Sequence, residues 1–248
     1  MNFGLVSVSF RNLSPEKIVE EAKNAGLSCI EWGSDVHAPC KDIERLKRIS
    51  ALQSEAGLYC SSYGTYFRIG SDNTDELIGY INAAKILGTD ILRVWCGNKG
   101  SRAFSAEENA FIINECRKAA EIAEKNNVTI CLECHNNTFT DTKEAAILLM
   151  KNVNSPAFRM YWQPNQFVSE EENLQYARLL AMFTKSIHIF NWKGDERYKL
   201  SEGKEIWQKY LSFFPDNKTL LLEFMPDDNI ASLNEEAKAM KEIVEQRY

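Results

Sequence analysis

Short apolar runs and helix-patterned stretches alternate along the whole of the 248-residue chain, and that alternation constrains the fold more than any other feature of the sequence. Runs that read as buried strands fall at Leu5–Phe10, Ser28–Gly33, Tyr59–Gly64, Asp90–Trp95, Thr129–Cys134, Arg159–Gln163, Ser186–Phe190 and Thr219–Phe224. Each is followed by a polar loop and a helical stretch, beginning near Pro15, Asp42, Asp75, Ala106, Lys143, Glu170, Gly203 and Ala231. Ser14 before Pro15 and Ser105 before Glu107-Glu108 read as helix N-caps. Gly26, Gly57 and Gly88 sit where a left-handed C-cap would end a helix. Eight units of about 30 residues fill the chain and predict an α/β fold, a single-domain (β/α)8 TIM barrel over residues 1–248. Strands buried on both faces explain why the runs are apolar instead of cleanly alternating. A doubly wound open sheet is the rival, but Phe10-Arg11-Asn12-Leu13-Ser14 stands where its glycine-rich phosphate loop would be.

Charge narrows the function classes. Lys+Arg 29 against Asp+Glu 35 gives a net −6, which disfavours a nucleic-acid partner held through its phosphates. No apolar run approaches the roughly 18 residues of a membrane span. The first residues, Met-Asn-Phe-Gly-Leu-Val, read as a strand instead of a signal peptide, and seven cysteines, an odd number, read as reduced thiols. The expectation is a cytoplasmic globular protein without a membrane partner.

Polar residues at the C-terminal ends of apolar strands are where a barrel of this kind carries chemistry. Four successive strands supply them: Glu133, Gln163, His188 and Glu223. Two carboxylates facing one axial space raise each other's pKa and cost several kcal/mol to bury. A divalent cation between them relieves both problems, and the mixed O/N set suits Mn²⁺, Zn²⁺, Co²⁺ or Mg²⁺. Taken singly, each residue reads more readily as part of an ion pair with Arg93 or Lys193, or as a satisfied core histidine. Four at equivalent places on consecutive strands favour a site.

At these residues the chain resembles the sugar phosphate isomerase/epimerase family, the xylose isomerase-like TIM barrels that also include the endonuclease IV type. The motifs are Ile30-Glu31-Trp32-Gly33-Ser34-Asp35-Val36-His37, Ser62-Tyr63-Gly64-Thr65-Tyr66, Leu92-Arg93-Val94-Trp95, Leu132-Glu133-Cys134-His135-Asn136-Asn137-Thr138, Tyr161-Trp162-Gln163-Pro164 and Ile187-His188-Ile189-Phe190. The resemblance implies one divalent metal held by Glu133, Gln163, His188 and Glu223, with Gln163 where relatives usually carry Asp. It also implies a ketose whose carbonyl is polarised while Glu133 and Glu223 act as an acid/base pair through an enediolate.

His37, Tyr63, Arg93, Trp95, His135 and Lys193 are the candidate substrate-binding residues, with Arg93 equally able to neutralise a barrel glutamate. Trp32, Trp95, Trp162 and Trp192 fall at strand ends as sugar platforms or packing, and alternation makes Trp162 packing. Cys131 and Cys134 point to opposite faces, so they form no redox pair. The expected activity is a metal-dependent sugar isomerase or epimerase acting on a small, unphosphorylated sugar or polyol. A metal-free sugar-binding barrel and a keto-cyclitol dehydratase are the alternatives. A nuclease is disfavoured, since its metal cluster would need more His and Asp ligands than this chain offers. Homo-oligomerisation stays open, with Phe213-Phe214-Pro215 as interface or core.

Overall fold

Apolar strands pair side by side in parallel and close on themselves in the computed structural model, which describes residues 1–246. In chain order the strands are β1 (Asn2–Val6), β2 (Cys29–Gly33), β3 (Tyr59–Ile69), β4 (Ile91–Cys96), β5 (Thr129–Glu133), β6 (Phe158–Trp162) and β7 (Thr184–Ile189). A short antiparallel hairpin, β8 (Trp192–Lys193) with β9 (Glu196–Arg197), precedes the last barrel strand, β10 (Thr219–Leu222). The closed order is β1-β10-β7-β6-β5-β4-β3-β2. Eight α-helices alternate with the strands: α1 (Pro15–Asn24), α2 (Ile43–Glu55), α3 (Leu77–Leu87), α4 (Ala106–Asn126), α5 (Lys143–Val153), α6 (Glu170–Leu180), α7 (Lys204–Leu211) and α8 (Leu233–Glu245). The (β/α)8 barrel expected from the spacing is the observed architecture.

Local signals act where the sequence put them. Ser14 accepts from the Lys17 amide ahead of Pro15, and Ser105 with Glu108 closes a capping box at the head of α4. Gly26, Gly57 and Gly88 take φ of 64°, 78° and 86°, left-handed values that release the chain toward the next strand. Two strands differ from expectation. The first lies earlier, over Asn2–Val6, because it registers Asn2 against Thr219; Ser7–Phe10 winds into a 3-10 turn instead. The third runs on to Ile69 because, past a register shift, Arg68 and Ile69 pair with Trp95 and Cys96.

Alternation along the strands divides the apolar residues into two cores. Between sheet and helices lies the large one, which holds Trp32, Trp162, Trp207 and Phe214. Phe214 packs against the Trp162 ring at 5.3 Å, so this part of the Phe213-Phe214-Pro215 segment is core. Inside the barrel the apolar set is small: Val6, Val8, Cys29, Ile91, Cys131, Tyr161 and Leu221. Cys131 faces the axis and Cys134 the helices, and all seven cysteines are free. Above this floor, toward the strand C-termini, the axial side chains turn polar.

Gly64 of β3 shows how tightly that upper layer is fitted. A Cβ there would stand 2.6 Å from Glu31 Oε1 and 2.9 Å from an Arg93 guanidinium nitrogen, whereas a Cβ on Gly79 in α3 would meet nothing within 4 Å. Gly64→Ala is therefore expected to lower unfolding free energy by about 1–3 kcal/mol through overpacking. Gly79→Ala is expected to raise it by about 0.5–1 kcal/mol, the helix-propensity gain. Denaturant titration of the two variants checks the sign at each glycine.

Candidate metal centre and substrate pocket

Inward phase on the strands delivers the polar layer. Glu133 ends β5, His188 stands on β7, and Glu223 follows β10 directly. Gln163 follows β6 in the same phase as Tyr161, whose neighbour Trp162 faces the helices. His188 Nδ1 lies 2.9 Å from Gln163 Oε1, 3.3 Å from Glu223 Oε2 and 3.4 Å from Glu133 Oε1. The four residues that the resemblance singled out are thus brought together around one ring nitrogen, all buried.

A fifth buried group, Glu31 of β2, belongs to the same layer and was not among the sequence-derived candidates. Its Oε1 accepts from Arg93 Nε at 3.1 Å; its Oε2 accepts from Ser62 Oγ at 2.9 Å and lies 3.5 Å from His188 Nε2. Ser62 in turn is 2.7 Å from the Tyr161 hydroxyl. Arg93 then spans to Glu133, donating from Nη1 to Oε2 at 2.8 Å, and Trp95 Nε1 donates to the same oxygen. Three carboxylates, one guanidinium and one imidazole share the upper barrel.

The charges explain one another. Burial would push the Glu31 carboxyl up, but the Arg93 guanidinium and His188 hold it down at about 2. Glu133 is pulled below the ordinary carboxylate range, against burial, by Arg93 and then His188. Burial would lower the His188 pKa; Glu223, Glu31 and Glu133 raise it well above the ordinary histidine value. Counting Glu31, Glu133 and Glu223 against Arg93, with His188 neutral as a metal-ligating imidazole must be, leaves a formal −2, the charge one divalent cation cancels. The donor set fits such an ion. Ligand bonds of about 2.0–2.2 Å place adjacent donors about 3 Å apart, near the Nδ1–oxygen separations seen here. Glu133, His188 and Glu223 present donors all within 4.8 Å of one another.

The centre opens into a cavity of about 290 Å³ lined by His135, Asn136, Gln163, Trp192, Glu223 and Phe224 among others. Phe224 takes a φ of 55°, a left-handed conformation costly for a side chain with a Cβ, and its amide donates to Ser9 Oγ at 2.8 Å. That turn sets its ring 5.6 Å from Trp192 at the mouth, with the Arg197 guanidinium 5.0 Å above. His135 packs on Trp95 at 5.1 Å, and its Nδ1 bonds the Asn136 carbonyl at 2.7 Å.

Not every candidate reaches this pocket. His37 is fully buried, with Nδ1 3.2 Å from Ser7 Oγ and Nε2 3.2 Å from the Leu13 carbonyl, so it ties the first two βα loops together. The Tyr63 hydroxyl donates to the Ala38 carbonyl at 2.6 Å on the helix side of the sheet. Lys193 lies on the hairpin and lines a neighbouring cavity of about 330 Å³. Arg93 is committed to Glu31 and Glu133. Trp32 is interior, donating to Gln53, while Trp95 and Trp192 are the tryptophans at the site.

Comparison with known proteins adds the following. A model described as "Xylose isomerase-like TIM barrel" matches residues 19–243. A 3-dehydroshikimate dehydratase from Bacillus anthracis is 29% identical over 171 residues, 64% of this chain and 60% of the relative. The match thus spans less than two thirds of that curated relative's length. Among solved structures, a probable 3-DHS dehydratase from Bacillus anthracis superposes with a TM-score of 0.79 at 21% identity, covering 97% of this chain and 99% of that one. A D-psicose 3-epimerase from Clostridium cellulolyticum H10 gives 0.75 at 13% identity, covering 99% of both.

Since both His37 nitrogens are bound within the scaffold, His37→Gln is expected to cost about 1–3 kcal/mol of stability. It should leave divalent-metal affinity unchanged. Unfolding curves and a metal titration on the same preparation measure the two effects.

Proposed function

The chain belongs to the xylose isomerase-like TIM barrel family, and from that premise we propose an enzyme that takes a proton from the carbon beside a carbonyl of a polyhydroxylated ketone. The reading is a keto-sugar isomerase or epimerase with one divalent ion on Glu133, Gln163, His188 and Glu223. The observation that carries it is the convergence of two carboxylates and an amide oxygen on His188 Nδ1 at the floor of an open pocket. A bound divalent ion would supply the positive centre that polarises the carbonyl and steadies the charge left when the proton departs.

The chain's own groups divide the remaining work. Glu223 carries no guanidinium or indole restraint of the kind that fixes Glu133, and it borders the pocket directly. It is the group we assign to removing the proton. Glu133, drawn below the ordinary range by Arg93, is a firm ligand and a weak proton acceptor; returning a proton to the opposite face is its part in an inversion. Trp192 and Phe224 offer ring faces to the apolar side of the substrate, and His135 and Asn136 offer polar contacts to hydroxyls.

Substrate charge follows from the cations. None lines the main pocket among the described residues, and the two guanidiniums beside Phe224 are already paired, Arg11 with Asp35 and Arg197 with Asp228. A neutral polyol suits this lining better than a phosphorylated sugar.

A second reading, dehydration of a keto-cyclitol, is favoured by the 29%-identical dehydratase match. The restraint on Glu133 favours it too, because elimination needs one base where inversion needs two. Incubating the protein with Mn²⁺, Co²⁺ or Zn²⁺ and neutral ketoses in D₂O, followed by NMR, separates the readings. Isomerase or epimerase activity incorporates deuterium beside the carbonyl with the carbon skeleton and oxygen count unchanged. Dehydratase activity produces an unsaturated product and one water per turnover. Glu223→Gln is expected to lower kcat at least ~100-fold in either case. A purified chain that carries no divalent ion and takes up none of the three sinks the metal-dependent reading.

A further inference from the structure

Glu31 lines neither the main cavity nor its neighbour and stands outside the four-residue donor set, yet it contacts Arg93 and His188. Arg93 lies between two carboxylates, 3.1 Å from Glu31 Oε1 and 2.8 Å from Glu133 Oε2. The guanidinium is a planar fork whose charge is shared between its partners. Take the Glu31 charge away, and Arg93 has only Glu133 to neutralise. It would then hold more tightly, and away from the pocket, the carboxylate whose other oxygen, Oε1, faces His188. On the other side Glu31 Oε2 is 3.5 Å from His188 Nε2 while Nδ1 faces the three donor oxygens. A carboxylate beyond Nε2 keeps the ring proton there and leaves Nδ1 as the electron-pair donor.

The surroundings are built to this arrangement. Gly64 leaves the space that the Glu31–Arg93 pair fills, Ser62 fixes the oxygen that faces His188, and Glu31 is completely buried. Resting on the metal reading above, we propose that Glu31 is a positioning residue. It sets the histidine tautomer and shares the Arg93 charge with Glu133, and it contributes the charge that brings the centre to −2 although Gln163 is neutral.

The charge part of this claim makes a test possible that a merely structural role would not pass. Glu31→Gln keeps the volume and one acceptor oxygen, for Arg93, with the amide NH2 able to donate to Ser62 Oγ, but removes the charge. Calorimetric titration with Mn²⁺ should show binding 10–100-fold weaker than wild type, the range typical of losing a partner of a ligating histidine. Adding Gln163→Asp to that variant restores the total charge within the donor set and should recover about tenfold or more. Thermal melts of all three chains confirm that each is folded. Equal Mn²⁺ affinity in wild type and Glu31→Gln overturns the proposal and leaves the metal reading standing. A double variant no tighter than Glu31→Gln overturns the charge-balance argument. A wild type that binds neither Mn²⁺, Co²⁺ nor Zn²⁺ overturns the metal reading and this proposal together.

Discussion

The buried ion pair of Arg93 with Glu31 and Glu133 is the interaction on which the upper barrel depends. Each buried charge would cost several kcal/mol uncompensated, and Glu31 and Arg93 lie inside the barrel at 0% and 2% exposure, off the cavity. Arg93, at 3% side-chain exposure, answers two of the three carboxylates and leaves the third, Glu223, to His188 and the pocket. Apolar packing alone does not hold this region. The interior apolar set is short, and only Val6, Val8 and Tyr161 of it reach this level, so hydrogen bonds and charge largely fix the layer's shape, with the helices clamping the strands from outside. A network of this kind is rigid when fully satisfied and poor when partly so. That explains why Ser62, Tyr161, Thr65 and Trp95 all spend hydrogen bonds on it.

Strain is concentrated one step further out. Phe224 holds a left-handed backbone immediately after Glu223, and the same turn both ends β10 and swings an aromatic ring over the cavity mouth. A glycine there would relieve the backbone and lose the ring. The Ser9 hydroxyl that accepts the Phe224 amide comes from the 3-10 turn that replaces the end of the first expected strand. The two departures from regular structure at the β1/β10 seam thus serve one another, and together they position Glu223.

Much of this was legible in the sequence, for reasons that can be stated. Strand period and helix caps fixed the barrel, because both depend on neighbours a few residues away. The cluster of Glu133, Gln163, His188 and Glu223 was legible because these residues interrupt apolar runs at equivalent ends. Glu31 sends the same signal, a charged residue between Ile30 and Trp32 inside a strand, but on the far side of the barrel from the four strands that drew attention. Strand parity would have found it: β-pairing aligns Glu31 with Ser62 and Trp32 with Tyr63, which also sends Tyr63 out to the helices. His37 was beyond reach. A loop histidine faces the pocket or the scaffold according to how the chain turns after the strand, and no local pattern encodes that turn. Lys193 failed similarly, because the β8–β9 hairpin carries it to the neighbouring cavity.

Between the two glutamates at the centre, the protein has made an unequal pair from equal side chains. Glu133 has one oxygen tied by a guanidinium and an indole, while Glu223 has neither and faces the cavity. A carboxylate so tied holds a cation well and a proton poorly. Glu223, buried but free of those ties, lines the cavity and can meet whatever occupies it. On the proposed reading, environment and not residue type divides ligand from base, the same division that separates two carboxylates in many acid/base sites. It also ranks the chemistries open to this fold. A reaction that asks one glutamate to shuttle a proton on one face of a substrate fits the asymmetry as built. A reaction that asks both glutamates to exchange protons in turn must first loosen Glu133 from Arg93, and Glu31 and the Thr65 carbonyl, already its partners, are placed to keep that guanidinium.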